Sequence, residues 1–146
     1  MSKPDFVYVI YIATTPERLW EALTSSELTR QYWGGTQLSD WQAGSRWEHV
    51  RNTGDGKSVV IGDVIESDPP HKLVLSWGHA TDDLRHEGLS QVTFNIEKIQ
   101  DAVQLTVIHD HLEPEMFKNI SSGWPRVLSN LKTFIETGRS FDAWVC

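Results

Sequence analysis

Two histidines are the side chains of this sequence best suited to acid–base or hydrogen-bonding chemistry. His109 follows Leu105 and Val107 at alternate positions, so a β-strand would turn all three to one buried face. In a dry interior its imidazole can bond a ligand carbonyl or phenol, act as an acid or base, or be satisfied by neighbouring backbone or water. His49 takes the same side as Trp47 in another short strand. The two histidines can therefore face one interior, and the sequence leaves their separation open.

A metal site at His109-Asp110-His111 is a second interpretation of this region. A strand would place both imidazoles on one face, yet a site needs a third ligand of the right type, and the single cysteine, Cys146, is far from them in the sequence. The charged segment at residues 79–88 is typical of a solvated loop. We predict no metal and no cofactor.

The patterns that accompany covalent catalysis or phosphate binding are missing from the sequence. It contains no Gly-rich phosphate loop, no nucleophile elbow and no Cys–His pair, and neither Ser76 nor Ser90 has an evident base. We therefore expect a binding domain rather than an enzyme. A cyclase or hydrolase that uses His109 as general base stays open as an alternative.

Aromatic residues indicate a different kind of site. The chain has seven tryptophans, spread over many segments. Those on predicted inward faces, with neighbouring residues, form a candidate ligand-binding set: Trp33, Trp47, His49, Trp77, Phe94, His109, Trp124 and Leu128. Aromatic walls with a few polar groups are typical of pockets for flat apolar molecules. The same residues can equally fill a core, and the sequence does not choose between the two.

A simple order of predicted elements positions these residues. Strands are predicted over residues 6–13, around 47–50, and over 58–66, 73–77, 89–98 and 103–112, with a hairpin turn at 52–56. Two short helices, 17–23 and 26–32, follow the first strand, and the sequence Thr-Pro-Glu opens the first of them. A long amphipathic helix is predicted over residues 121–138, capped by Ser121 or Ser122, with Pro125 in its first turn and Gly138 at its end.

These elements predict a single α+β domain over residues 1–146. Consecutive strands with short connections imply a curved six-stranded antiparallel sheet that is buried on one face. The long C-terminal helix covers that face, and the two short helices lie between strands 1 and 2. A curved sheet wrapped on one helix leaves a gap between them, which is where a small molecule would bind.

Charge and composition exclude some classes of partner. Thirteen lysines and arginines stand against 20 aspartates and glutamates, a formal net charge of −7, and the basic residues are scattered. Nucleic acids and anionic membranes require grouped positive charge, so we expect neither as a partner. No window has the roughly 18 apolar residues of a membrane helix. The lone Cys146 excludes an internal disulfide and fits a reducing compartment, so we expect a soluble cytoplasmic protein.

Several segments of the sequence resemble one known family. They are TPERLWEALT at residues 15–24, GDVIESDPPHKLVLSW at 62–77, VTF at 92–94, LTVIH at 105–109 and Gly123-Trp124, in the family's order. The family is that of the C-terminal-like domain of the activator of the ninety-kilodalton heat-shock protein's ATPase, in the START-like helix-grip (SRPBCC) superfamily. The resemblance implies a helix-grip fold and, without choosing among them, a carrier, an aromatic polyketide cyclase or a stress-response co-chaperone. Residues 139–146 lie outside the family pattern.

We expect this domain to bind a small hydrophobic or aromatic molecule between the sheet and the long helix. The alternative from another class is a chaperone-interacting module, which the family resemblance implies.

The tail carries three apolar residues, Phe141, Trp144 and Val145, after the helix-ending Gly138. Apolar side chains of this size need a surface to cover them. The tail either folds back on its own domain or docks on a second copy. We favour docking, and therefore a homodimer.

Overall fold

The computed structural model describes residues 6–33, 35–51, 58–79, 90–112 and 114–141. Its elements, in chain order, are β1 (Phe6–Ile12), α1 (Pro16–Thr24), α2 (Ser26–Tyr32), β2 (Gly35–Leu38), β3 (Arg46–Arg51), β4 (Ser58–Asp68), β5 (Lys72–His79), β6 (Ser90–Ile99), β7 (Ala102–Asp110) and α3 (Pro114–Thr137). The predicted hairpin turn at 52–56 and nearly all of the charged segment at 79–88 lie outside the described residues.

The strands form one antiparallel sheet in the order β1-β7-β6-β5-β4-β3-β2. Neighbours in sequence are neighbours in space from β2 to β7, and β1 returns to pair with β7, so β1 and β2 are the two edges. The sheet curls around α3, while α1 and α2 connect β1 to β2. The predicted α+β helix-grip fold is therefore confirmed, with seven strands instead of the predicted six.

The strand that the sequence did not reveal is β2, residues Gly35–Leu38. These four residues lack an apolar alternation, and the glycines before Thr36 are typical of a helix end. Strand β2 is held in the sheet by contacts with β3 and α2. Gln37 pairs with His49 of β3, and its backbone N–H donates to Thr29 Oγ1 of α2 at 3.0 Å.

The two short helices α1 and α2 begin at the capping residues that the sequence indicates. The side chain of Thr15 accepts from the Arg18 N–H at 3.2 Å and caps α1, and Ser25 caps α2 in the same way through the Leu28 N–H at 3.2 Å. A residue with extended backbone between two helices prevents them from continuing as one. The predicted pair of short helices is thus confirmed.

Helix α3 begins at Pro114, seven residues before the predicted start at Ser121. Ser121 is not a cap: its hydroxyl donates to the Phe117 carbonyl at 2.7 Å inside the helix. Pro125 also lies in the interior rather than in the first turn. The end was predicted correctly, since Gly138 has a φ of +78° and its N–H donates to the Phe134 carbonyl at 2.8 Å.

Two side chains of α3 tie the helix to the edge strand β1. Lys132 Nζ donates to the Tyr11 carbonyl at 2.8 Å, and Glu136 Oε2 accepts from the Ala13 N–H at 2.8 Å. The two side chains also pair with each other at 2.6 Å. The helix is therefore fixed beside β1 by a small polar clamp.

The tail turns back on its own domain at Phe141. The buried amide of Asn130 donates to the Phe141 carbonyl at 2.7 Å and to the Tyr32 carbonyl at 2.8 Å, and its oxygen accepts from the Phe141 N–H at 2.7 Å. The backbone at Phe141 thus folds back, while its side chain stays 44% exposed. Trp144 and Val145 lie outside the described residues.

None of the helices in these described ranges has both the length and the apolar character that crossing a membrane would require.

Candidate functional site

The eight residues of the predicted ligand-binding set all lie in the interior between the sheet and α3. Each is at most 8% exposed. They are contributed by the end of α2, by β3, β5, β6 and β7, and by α3, in the order Trp33, Trp47, His49, Trp77, Phe94, His109, Trp124 and Leu128. For the five of them that lie on strands, the alternation of residues predicted the inward direction correctly.

Trp124 is the centre of a continuous group of rings. Its ring centroid lies 5.6 Å from that of Trp33, 5.5 Å from that of Trp77 and 5.9 Å from that of Phe94. Trp47 extends the group, with its centroid 5.2 Å from that of Trp77. We call these five residues the aromatic cluster.

Trp47 lies across the sheet because β4 has a glycine beneath it. Its indole N–H passes over Gly62 and donates to the Ser76 carbonyl of β5 at 2.8 Å. A Cβ at Gly62 would stand 2.8 Å from the indole nitrogen and 2.0 Å from that carbonyl oxygen. The regular pairing of β4 with β5 is interrupted here, and Ser76 Oγ accepts from the Asp63 N–H at 2.8 Å instead. Only glycine leaves room for this arrangement.

His109 is held in a chain of hydrogen bonds that defines its tautomer. Trp124 Nε1–H donates to His109 Nδ1 at 3.0 Å, so Nδ1 carries no proton. His109 Nε2 lies 2.9 Å from Ser90 Oγ, and that hydroxyl donates to the Trp77 carbonyl at 2.9 Å. Nε2 must therefore be the protonated nitrogen and donate to Ser90. We call the sequence Trp124, His109, Ser90 and the Trp77 carbonyl the polar chain.

This proton order argues against His109 as a general base for Ser90. A base must accept the serine proton at the nitrogen nearest the hydroxyl, and here that nitrogen is already a donor. Burial also lowers the pKa of His109 to about 3, which makes it a weak base. The geometry therefore gives His109 a structural hydrogen-bonding role.

His49 is the second buried histidine, and β2 is what holds it. Its Nδ1 is hydrogen-bonded to Gln37 Oε1 on the paired strand, so Nδ1 carries the proton. The other side of the ring lies against Gly35, where a Cβ would approach Nε2 to 2.4 Å. Its ring centroid is 5.6 Å from that of Trp33, and burial lowers its pKa to about 4.

Gln37 and Ser90 are the two site residues that sequence reasoning missed. Ser90 had a signal, because it alternates with Val92 and Phe94 and so shares their inward face. Gln37 had none, since no apolar pattern marks β2. Both supply the hydrogen bonds that allow an imidazole to be buried.

The predicted sharing of one face by His109 and His111 is wrong. Strand β7 ends at Asp110, and His111 takes a positive φ of 58°, which turns its side chain outward, where it is 65% exposed. Across the described ranges, no three His, Cys, Asp or Glu side chains come close enough together to hold a metal ion.

Helix α3 stands away from the middle of the sheet. Its backbone approaches closely at β1, α1 and α2, whereas across β3 to β6 large side chains bridge the distance. The aromatic cluster occupies this space. The interior is therefore filled by aromatic side chains rather than by closely packed backbone.

A curled antiparallel sheet that grips one long helix over an aromatic interior defines the helix-grip class. The sequence also matches the family model described as Activator of Hsp90 ATPase homolog 1-like protein over residues 13–136. The chain belongs to this family, which confirms the resemblance found in the sequence. No curated protein matches the sequence.

Solved structures share the fold at low sequence identity. The Aha1 dimer from Colwellia psychrerythraea has a TM-score of 0.77 and 18% identity, over 94% of this chain and 100% of that one. An HSP90 activator from Plasmodium falciparum has a TM-score of 0.73 and 22% identity, over 92% and 96%. CalU16 from Micromonospora echinospora has a TM-score of 0.74 and 19% identity, over 93% and 76%. Identities this low support the fold alone.

Proposed function

We propose that this protein binds a small, flat, apolar or aromatic molecule between the sheet and α3, at the aromatic cluster. The observation that carries the proposal is the construction of this interior. Aromatic rings fill the space where α3 stands away from the strands, and rotation of a few rings can exchange ring–ring contacts for ring–ligand contacts of similar kind.

The polar groups of the interior favour an uncharged ligand. His49 and His109 are neutral at physiological pH because burial lowers the pKa of each to about 4 and about 3. No lysine or arginine is among the buried residues of the described ranges. A charged ligand would therefore be desolvated without a partner of opposite charge.

Tryptophan fluorescence tests this proposal directly. Titration with a flavonoid should give a saturable change at micromolar concentration, whereas a fatty acid and a naphthalene-sulfonate dye, which both carry a negative charge, should bind more weakly. Trp33→Leu removes one wall of the cluster and should weaken binding by about tenfold. The matched control is Trp20→Leu, because Trp20 lies on α1 outside the cluster. Absence of saturable binding for every probe would refute the proposal.

A chaperone-interacting module is the second candidate, and the family match is the observation that favours it. The family description and the activator from Plasmodium falciparum both refer to Hsp90. The discriminating measurement is the ATPase rate of a purified ninety-kilodalton heat-shock protein with and without this chain. Stimulation that survives Trp33→Leu would favour the chaperone role over the binding of a small molecule.

A further inference from the structure

Hydrogen bonds at the two edges of the sheet differ. At β2 the outward N–H of Gln37 is bonded to Thr29 of α2, and α2 packs closely along this four-residue strand. This edge is covered by a helix, as is usual where a protein prevents unwanted strand pairing.

At β1 the hydrogen bonds made by the described residues cover only the carboxyl-terminal half of the edge. The Lys132–Glu136 clamp takes the Tyr11 carbonyl and the Ala13 N–H, which are edge groups that a neighbouring strand would otherwise bond. Residues at alternate positions of an antiparallel edge strand turn both backbone groups outward. Since Tyr11 is outward, Val9 and Val7 are outward too. Among the described residues no hydrogen bond reaches the outward groups of Val7 or Val9.

The open half of β1 is also apolar and uncharged. Val7 is 56% exposed and Val9 46% exposed, and β1 contains no charged residue. Their partners on β7, Ile108 and Thr106, are uncharged as well. An open, apolar strand edge is a template for another strand.

We propose that the amino-terminal half of β1 pairs edge to edge, in antiparallel orientation, with the same segment of a second copy of this chain. With the two-fold axis at Tyr8, Val7 lies opposite Val9 of the partner subunit, and Val9 opposite Val7 of the partner subunit. Each such pair exchanges two N–H···O=C bonds, so the interface gains four. The two sheets then continue into one sheet of 14 strands, twice the seven of one copy.

Charge and symmetry select a second copy as the occupant. Two chains of net charge −7 repel each other least where neither presents a charge, and the open half of β1 is such a place. Pairing of β1 with β2 of another copy would extend into a fibre, but α2 covers β2. Pairing of β1 with itself therefore gives a closed dimer.

Val9→Pro tests the proposal with little effect on the fold. The Val9 N–H points away from β7, so proline removes only a donor that the isolated subunit does not use, and edge strands tolerate proline at such positions. The substitution removes two of the four intersubunit bonds and should raise the dimer dissociation constant by about thirtyfold or more. Val9→Thr is the matched control, because it keeps the N–H and the β-branched shape. Sedimentation or light scattering should find the wild type and Val9→Thr at twice the mass of one chain, and Val9→Pro at the mass of one chain.

Amide hydrogen exchange in the wild type tests the same contact without a substitution. The Val7 and Val9 amides should be protected in the dimer and should lose protection on dilution to the monomer. A variant that lacks residues 142–146 should remain a dimer, which separates this contact from docking by the tail. A monomeric wild type, a Val9→Pro variant that stays dimeric, or unprotected Val7 and Val9 amides in a dimer would each overturn the proposal.

Discussion

The two buried histidines occupy opposite halves of the sheet and are held in different ways. His109 lies in the regular half, where its bonds cross from α3 through β7 to β6 and β5. His49 lies in the half where β3 and β4 carry register shifts, and its described polar contact is Gln37 on the short edge strand β2. His109 is thus part of a hydrogen-bonded chain that joins α3 to the sheet, whereas His49 depends on the neighbouring strand β2.

This difference shows that two equally buried histidines can contribute differently to stability. Burial lowers the pKa of both imidazoles, and both are neutral. A loss at His109 leaves partners on two elements, Trp124 of α3 and Ser90 of β6, without that bond, whereas a loss at Gln37 leaves one donor without its acceptor. The expected effects below follow this order.

Acidification should produce the largest effect, because it acts on both histidines. In the folded chain the pKa of His109 is about 3 and that of His49 about 4, against the ordinary 6.5. From about pH 6.5 downward the unfolded chain therefore binds more protons than the folded one. The free energy of unfolding should fall by about 1.4 kcal/mol per pH unit for each histidine, and should be constant with respect to these groups above about pH 7.5.

Urea unfolding between about pH 7.5 and about pH 4.5 measures this slope. His49→Gln should halve it, because only His109 then titrates with a lowered pKa. A wild-type stability that does not change between about pH 7 and about pH 5 would show that the imidazoles are not buried as described.

His109→Leu should have the largest effect of any single substitution in this comparison. Leucine fills a similar volume but leaves the Trp124 N–H without an acceptor and removes the donor to Ser90, so we expect a loss of about 3 kcal/mol. Chemical denaturation at neutral pH provides the measurement. His111→Asn is the control, since His111 is exposed and asparagine tolerates its positive φ, and it should change stability little. A loss below about 1 kcal/mol for His109→Leu would instead favour the sequence-based view that His109 mainly selects ligands.

Gln37→Leu should cause the smallest loss of stability, and it changes the surroundings of His49 without touching His109. It removes the acceptor of the Nδ1 proton and should cost about 1–2 kcal/mol. Because the His49 imidazole then lacks its hydrogen bond to Gln37, the pKa of His49 in the folded chain should change in an NMR titration, while the pKa of His109 stays the same. Equal shifts at both histidines would show that the two regions are coupled rather than independent.

Alternation of residues was enough to predict most of the interior. The strands from β5 to β7 are apolar at alternate positions, so Trp77, Phe94 and His109 were assigned to the buried face from sequence. What alternation cannot provide is a distance between strands. The bonds from His109 to Ser90 and Trp124 depend on the pairing of β6 with β7 and on the position of α3.

Segments with misleading local signals were predicted less well. Ser121 and Ser122 precede a proline and therefore look like a helix start, although the helical stripe already includes Phe117 and Ile120. Strand β2 is polar and short, and only its partners define it. In both places tertiary contacts outweigh local preference.

The Asn130 amide has a practical consequence for where this folding unit ends. The family match stops at residue 136 and the helix at Thr137. Yet a fragment cut after Gly138 would leave the side-chain oxygen of Asn130 without the Phe141 N–H and one amide proton without the Phe141 carbonyl. An expression fragment of this domain should therefore extend at least to Phe141, three residues past the helix cap, so that the Asn130 amide keeps these bonds.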